Sequence, residues 1–369
     1  MTDLRLVQDD FGAFFQVPFA QYGPEIPYVS PFRSDLRRML DGKANPTFPD
    51  PRDLTHFTAL RGATPVGRIT AQVQRAYAGR FGRRTGFFGF FDTAPDPQVA
   101  ATLLERAAEW LRARGCDDIL GGFNLTASQE MGIVTEGHEH APFLAQAYNP
   151  SWTPRLLEEN GFEPVFPMTS WTLELDRFDA AALLGPRQKA LVEEGFQARP
   201  VPRREFRQWL SIARGLLNDS FDENPHFVPL SKAEFQFQAG SMVWVYDPRI
   251  SFVGVHEGEP VGVVACLPDV NPLLRATGSR LRPSTPVHAF RHLRRGTRAS
   301  IIFGGVRPDW QDRGVVGLLL YQAVRAMQDA GYRELGITWV SDTNHASLRQ
   351  MEKLGARPLH RLALFRRSL

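Results

Sequence analysis

The sequence predicts an α/β protein made of two copies of one module, each a mixed, mostly antiparallel sheet flanked by helices. Three observations predict it. A chain of 369 residues, 43% hydrophobic and 22% charged, fits a globular protein of two domains. The same order of elements, strand-strand-strand-helix-strand-helix-strand, is legible in each half. The stretch Ile301 to Leu320, IIFGGVRPDWQDRGVVGLLL, reads as a strand, a turn and a helix, the unit from which such modules are built.

Residues 1–50 are read as irregular and holding short helices, one of them from Ser34 to Leu40 that Ser34 would cap. HFTALRG and PVGRITAQV form a hairpin around Ala63-Thr64, and GFFGFF (86–91) is an apolar strand. Pro97 to Arg114 is an amphipathic helix stopped by Gly115, and Asp118 to Gly121 begins another strand. Pro186, Pro200 and Pro202 mark the joint between the halves, with a connecting helix around Arg187 to Glu194. The second half opens with a helix from Glu205 to Leu217. A hairpin from Ser251 and the strand at Ile301 follow. After Gly314, apolar residues at 315, 316, 319, 320, 323, 326, 327 and 330 keep helical spacing until Gly331. Gly304-Gly305 inside the preceding apolar run suggests a bulge or a close backbone approach.

The repeat rests on residues. Pro65-Val66-Gly67 matches Pro260-Val261-Gly262, and LLERAAEWLRARG from Leu103 matches LLYQAVRAMQDAG from Leu319 at an offset of 216. Asn149 to Gly161-Phe162 is similar to Asn344 to Gly355-Ala356. So long a period means a duplicated domain and not a solenoid. The expected division is 1–176, a linker at 177–203, and 204–369.

A helix entered through Gly314 leaves its first N–H groups free. With the helix dipole, they suit a phosphate or pyrophosphate. The order Val306-x-Pro308-x-x-Gln311-x-x-Gly314 resembles the acyl-CoA-binding turn of the GCN5-related N-acetyltransferase (GNAT) family. The tandem is similar to a bacterial family of two-domain proteins of this kind on FGFFD (ending at Asp92), AYNPSW (147–152), NPHFVPLSKAEF (224–235) and LPDVN (267–271). The resemblance implies acetyl-CoA or another acyl-CoA as co-substrate. It would be held by Val306, Gln311, Asp312, Arg313, Gly314, Val315 and Val316, with Asn344 in the closing motif. Val316 stands where the family carries Gly or Ala. Met351 stands where it carries the tyrosine that protonates the leaving thiolate. Asp342, at the end of the strand ELGITWV, is the candidate catalytic base, or else a turn residue.

In the first copy the repeat puts TAPDPQ against DWQDRG. Asp96 would cap the helix itself and repel a phosphate, and Pro97 removes a donor. That copy carries a long insertion between Gly121 and Asn149, read as a solvated loop or a lid. Its His138 and His140 lack a third ligand, and Cys116 and Cys266 are too few for a zinc site, so no metal is expected.

The stretch Arg275 to Arg298 holds seven arginines, two histidines and no acid. It is read as a solvated segment whose buried face is Leu281, Val287, Phe290 and Leu293, then as an anion clamp, then as a nucleic-acid site. A net charge of +3 names no partner, and no apolar run approaches about 18 residues. The amino terminus, MTDLRLVQDD, does not look like a secretion signal.

These readings lead to a cytoplasmic N-acyltransferase, acetyl transfer first in mind, that acts through the second copy on a small amine. No membrane or nucleic-acid partner is expected, and the oligomeric state stays open. The alternative is a non-catalytic protein that binds CoA or another anion.

Overall fold

The computed structural model describes residues 3–369, apart from the side chains of residues 293–295. The first half runs β1 (Leu4–Gln8), α1 (Phe11–Gln21), α2 (Arg33–Leu40), β2 (Leu54–Arg61), β3 (Thr64–Val73), α3 (Arg75–Phe81), β4 (Thr85–Thr93), α4 (Pro97–Arg112), β5 (Asp118–Gly121), β6 (Ile133–Glu136), α5 (Thr153–Glu158) and β7 (Glu163–Glu174). The second runs α6 (Pro186–Glu193), β8 (Gln197–Pro200), α7 (Phe206–Ser220), α8 (Lys232–Ala239), β9 (Phe252–His256), β10 (Glu259–Pro268), α9 (Asn271–Thr277), α10 (Thr285–Arg295), β11 (Arg298–Val306), α11 (Val315–Asp329), β12 (Glu334–Ser341), α12 (His345–Leu354) and β13 (Arg357–Ser368).

All the strands lie in one sheet, in the order β1-β2-β3-β4-β5-β13-β7-β12-β11-β10-β9-β8, with β6 also against β13. The order is symmetric about its centre. β2-β3-β4-β5 on one side answers β9-β10-β11-β12 on the other, and β4–β5 and β11–β12 are the parallel pairs. The last strand of each half, however, sits in the sheet of the other. β13 pairs with β5, and β7 pairs with β12, while β13 and β7 pair with each other from Arg357↔Thr172 to Arg366↔Glu163. Residues 177–203, expected as a linker, hold α6 and the edge strand β8, which pairs with β9.

Helices cover both faces. α11 and α12 bury Leu319, Ala323, Met327 and Leu354 against Ile301, Leu335 and Ile337. α4 buries Leu103, Leu104, Ala107 and Leu111 against Ile69, Phe88, Ile119 and Phe365. On the other face α7 and α8 pack Trp209, Ala213 and Phe235 against Val263 and Leu267.

The amino-terminal region, expected as irregular with short helices, contains a strand, β1, and the longer helix α1, neither of which the sequence placed. FGAFFQVPFAQ is apolar all round, so it shows no helical period, and Pro18 lies inside it. Pro18 has no N–H to give to the Phe14 carbonyl four residues back. Arg68 Nη1 donates there instead, at 3.1 Å. Arg68 is fully buried, and its Nε and Nη2 donate to Asp92 and the Tyr28 hydroxyl, both at 2.7 Å. In α2 the cap position is Phe32, and Ser34 lies inside the first turn.

The insertion after β5 is not solvated. The chain leaves the β5 line at Gly122 and resumes it at Gly132, whose N–H donates to Gly122 O at 2.7 Å. Both glycines have positive φ, 94° and 108°, which lets the excursion leave and return at one point. Beyond it, residues 142–146 brace the second half. Phe143 lies on Gly336, Ser300 Oγ donates to Leu144 O, and Gln146 Nε2 donates to Ile337 O. Asp269 of LPDVN accepts from the N–H groups of Leu144 and Asn271, and Arg298 lies over the Phe143 ring at 3.8 Å.

Exchange of the closing strands makes each half depend on the other. A chain cut between Leu184 and Gly185 should give two fragments that are insoluble or molten when expressed alone and that co-purify one to one when expressed together. Two fragments that each unfold cooperatively alone, in urea followed by circular dichroism, would show the exchange to be dispensable.

Candidate functional site

In each half the parallel pair separates after four residue pairs. β4–β5 registers from Thr85↔Asp118 to Phe88↔Gly121, and β11–β12 from Arg298↔Glu334 to Ile301↔Ile337. Beyond those points the strands splay into a wedge beside a bulge. The second-half bulge is at Ile302, between Ile301 opposite Cys266 and Phe303 opposite Ala265, and not at Gly304-Gly305, the first of the two readings of those glycines. Gly305 meets the second reading, a close backbone approach. A Cβ on Gly305 would lie 2.6 Å from Ser220 Oγ, because α7 runs close over the strand there.

The first-half wedge is filled by the excursion. A Cβ on Gly89 would stand 1.8 Å from Phe123 O. The N–H of Phe90, at that half's bulge, donates to Asn124 Oδ1 at 2.7 Å, so it is not open to a carbonyl substrate. Asn124 in turn donates to Glu130, whose carboxyl is pushed up by burial. Asp96 caps α4 as its sequence suggests, accepting from Gln98 N and Val99 N at 3.0 and 3.2 Å, and it pairs with Arg61. Both features that would receive a thioester and its phosphates are therefore spent internally in this half.

In the second half, Gly314 enters α11 with φ 95° and no side-chain cap. Gln311, Asp312 and Arg313 are exposed, and Asp312 has φ 59°. The turn is not bare. Helix α6, preceding β8, lies across it. Gln188 Nε2 donates to Gly314 O at 3.1 Å while its Oε1 accepts from Gly185 N. A Cβ on Gly314 or Gly317 would come within 2.8 or 2.7 Å of that Nε2. Arg187 donates to Asp312 O, and Arg313 pairs with Glu194 at 2.7 Å while lying over the Trp310 ring. No sequence pattern in α6 announces this cover.

The other expected residues scatter. Val306 and Val315 are core residues, 5% and 1% exposed, and Val316 packs at the edge of the same core. Asn344 is the N-cap of α12, accepting from Ser347 N at 3.0 Å. Asp342 follows β12, and its carboxylate faces Thr169 and Arg361, at 3.3 and 3.4 Å, on the exchanged strands. Met351 is 5% exposed in the core shared with α11, so a tyrosine there would overpack, at about 1–3 kcal/mol.

One residue that the spacing arguments passed over is His226, in the NPHF segment. It walls two cavities where the halves meet. The larger, about 230 Å³, is also lined by Tyr77, Leu120, Phe166 and Arg366. The imidazole sits edge-on to Phe166 at 4.7 Å, and its Nδ1 has no hydrogen-bond partner in the structure. Burial first, then Arg83 and Arg366, push its pKa down to about 4. It is therefore a neutral base at pH 7.

Residues 209–356 match the model of the acetyltransferase (GNAT) family. The whole chain is similar to a tandem GNAT protein from the clavulanic acid biosynthesis pathway, with a TM-score of 0.58, 14% identity and coverage of 99% and 98% of the two chains. The protein is thus built on two tandem GNAT folds, the second of which carries the family's sequence signature. Among curated proteins it is 25% identical to Protein YghO of Escherichia coli, over 99% of this chain and 94% of that one. It is 28% identical to the bacterial ceramide synthase of Caulobacter vibrioides, over 93% and 90%.

Two outcomes follow from this geometry. Gln188→Ala should free the α11 N-terminus and tighten CoA binding by about two- to tenfold, the value of one lost hydrogen bond of ~0.5–1.5 kcal/mol. Asp96→Ala should leave CoA binding alone and cost about 1 kcal/mol of stability. Calorimetric titration checks both, and a Gln188→Ala variant that binds CoA more weakly would exclude the turn as the phosphate site.

His226 and His360 have folded pKa values near 4, each lowered chiefly by burial. The unfolded chain takes up their protons near pH 6.5, so stability falls as pH drops from 6.5 toward 4. The urea midpoint should decline between pH 7 and 5, and His226→Gln should make that decline shallower.

Proposed function

We propose that the protein is an acyl-CoA-dependent N-acyltransferase whose second half holds the CoA and whose acceptor is a long-chain amine. The observation that carries this is the 28% identity with a ceramide synthase across 93% of the chain. A ceramide is the amide of a fatty acid with a long-chain amino alcohol. Support comes from the asymmetry of the halves: only the second presents a glycine-entered helix without its own cap. The acyl chain that this supports is longer than the acetyl group which the turn alone suggests.

The reaction forms one C–N bond and breaks one C–S bond, and the amine proton must leave. Asp342 is tied to Arg361 and half-open to water. His226 is unpartnered at Nδ1 and lines a cavity, and so is the alternative candidate base. A backbone N–H at the β11 bulge would polarise the thioester carbonyl.

The test is release of free thiol and of an amide product, read by mass spectrometry, from palmitoyl-CoA or acetyl-CoA with sphinganine, ethanolamine or spermidine. Sphinganine with palmitoyl-CoA should give the amide, and His226→Ala should slow it by about 10²-fold or more. Turnover with spermidine and acetyl-CoA alone would replace the lipid acceptor by a polar one. CoA binding without turnover on any pair would leave a ligand-binding protein.

A further inference from the structure

The segment between β10 and β11 was expected to bury Leu281, Val287, Phe290 and Leu293. The structure turns three of them outward: Leu281 is 69% exposed, Val287 59% and Phe290 58%, and Leu293 lies outside the described side chains. Val287 and Phe290 are three residues apart on α10 and share one side of it. From Val270 to Pro308 the chain has no acid, while Arg280, Arg282 and Arg291 flank these apolar residues.

The surface continues onto the first half. Arg33 N donates to Ser279 O, and Ser279 Oγ to Ser30 O. Arg280 lies over the Phe15 ring at 5.4 Å. Phe15 packs at 5.1 Å on Phe19, which is 44% exposed. Arg33 and Arg37 lie over Phe11 at 5.1 and 4.7 Å, on rings and not beside carboxylates. Exposed apolar side chains are thus ringed by cations drawn from α2, α10 and the turn before α10.

We propose that this surface docks the protein on an anionic lipid bilayer. Leu281, Val287, Phe290 and Phe19 would enter the headgroup boundary while the arginines meet lipid phosphates. An amphipathic helix with an arginine-rich polar side lies in the plane of such an interface. At 11 residues α10 is about 16 Å long, too short to cross. The outward aliphatic residues set this surface apart from a nucleic-acid groove, which would present polar and stacking groups. The proposal departs from the expectation that no membrane takes part. The inference stands apart from acyl transfer, because binding is measured without acyl-CoA.

The experiment is vesicle flotation of the full chain at about physiological salt, with phosphatidylcholine alone or mixed with phosphatidylglycerol. The protein should float only with the anionic vesicles and be released as salt is raised toward 1 M. L281S/V287S/F290S and R282E/R291E change exposed positions, and circular dichroism would confirm that they fold. Each should cut the bound fraction by about tenfold or more. The proposal is overturned if the protein stays with neither vesicle, floats equally on both, or floats as well in either variant. It is also overturned if an RNA fragment displaces the vesicles, or if the apolar variant abolishes self-association instead of flotation.

Discussion

The pairing of β13 with β7 is the constraint on which the structure depends. Each of these twelve-residue strands closes a half to which it does not belong in sequence. Without β13, β5 would end the first half as an edge, and Ala363 and Phe365 would be missing from the core under α4. Without β7, β12 would do the same in the second half. An exposed edge over an open core invites pairing with other chains. The exchange removes both edges at once and turns two sheets into one. It also brings the first-half insertion within reach of Gly336 and Ile337, which two separate modules would not do.

That continuity lets the halves diverge in chemistry while keeping one frame. The first half has filled its own wedge with Phe123 and Asn124 and capped its own helix with Asp96. A backbone N–H already bonded to an amide, or a helix end already holding a carboxylate, cannot also stabilise a thioester or a phosphate. Beside it, Arg68, Asp92, Tyr22 and Tyr28 form a buried network. Charges so placed are costly to leave unpaired, so the network fixes how α1 sits on the sheet more than it adds stability. The first half braces the second through Leu144 and Gln146.

Much of this was legible in the sequence. Two-residue and 3.6-residue periods place the hairpins, α4, α7 and α11 within a few residues, and the 216 offset reveals the duplicated frame. The capping of α4 by Asp96 is a local property, and it reads correctly because caps act within one turn. What sequence could not give was long-range. Nothing local says that β13 leaves its own half. α1 hid because an all-round apolar helix has no period. Gln188 covers Gly314 from 126 residues away. The segments LPDVN and AYNPSW carry the family resemblance, and the structure makes them ties. Asp269 holds the insertion, and Asn149 binds Val134 through both its amide atoms. His226 carries no spacing signal at all, since its significance is the aromatic wall and the unpartnered nitrogen around it.

The cover over α11 bears on how such a site could work. Gln188 contributes one neutral hydrogen bond to Gly314 O, with a net value of about 0.5–1.5 kcal/mol. A pyrophosphate on the same helix end would accept charge-assisted bonds of about 1.5–3 kcal/mol each and gain from the dipole. A diphosphate cannot replace Gln188 Nε2 on Gly314 O, since both oxygens accept. It would need only that the Gln188 side chain swing aside and the exposed Arg313–Glu194 pair, worth about 0–1 kcal/mol, open. The cover is then a gate of modest height and not a block. It would hold the glycine turn in shape while empty, and yield Arg313 to the phosphates when a cofactor arrives.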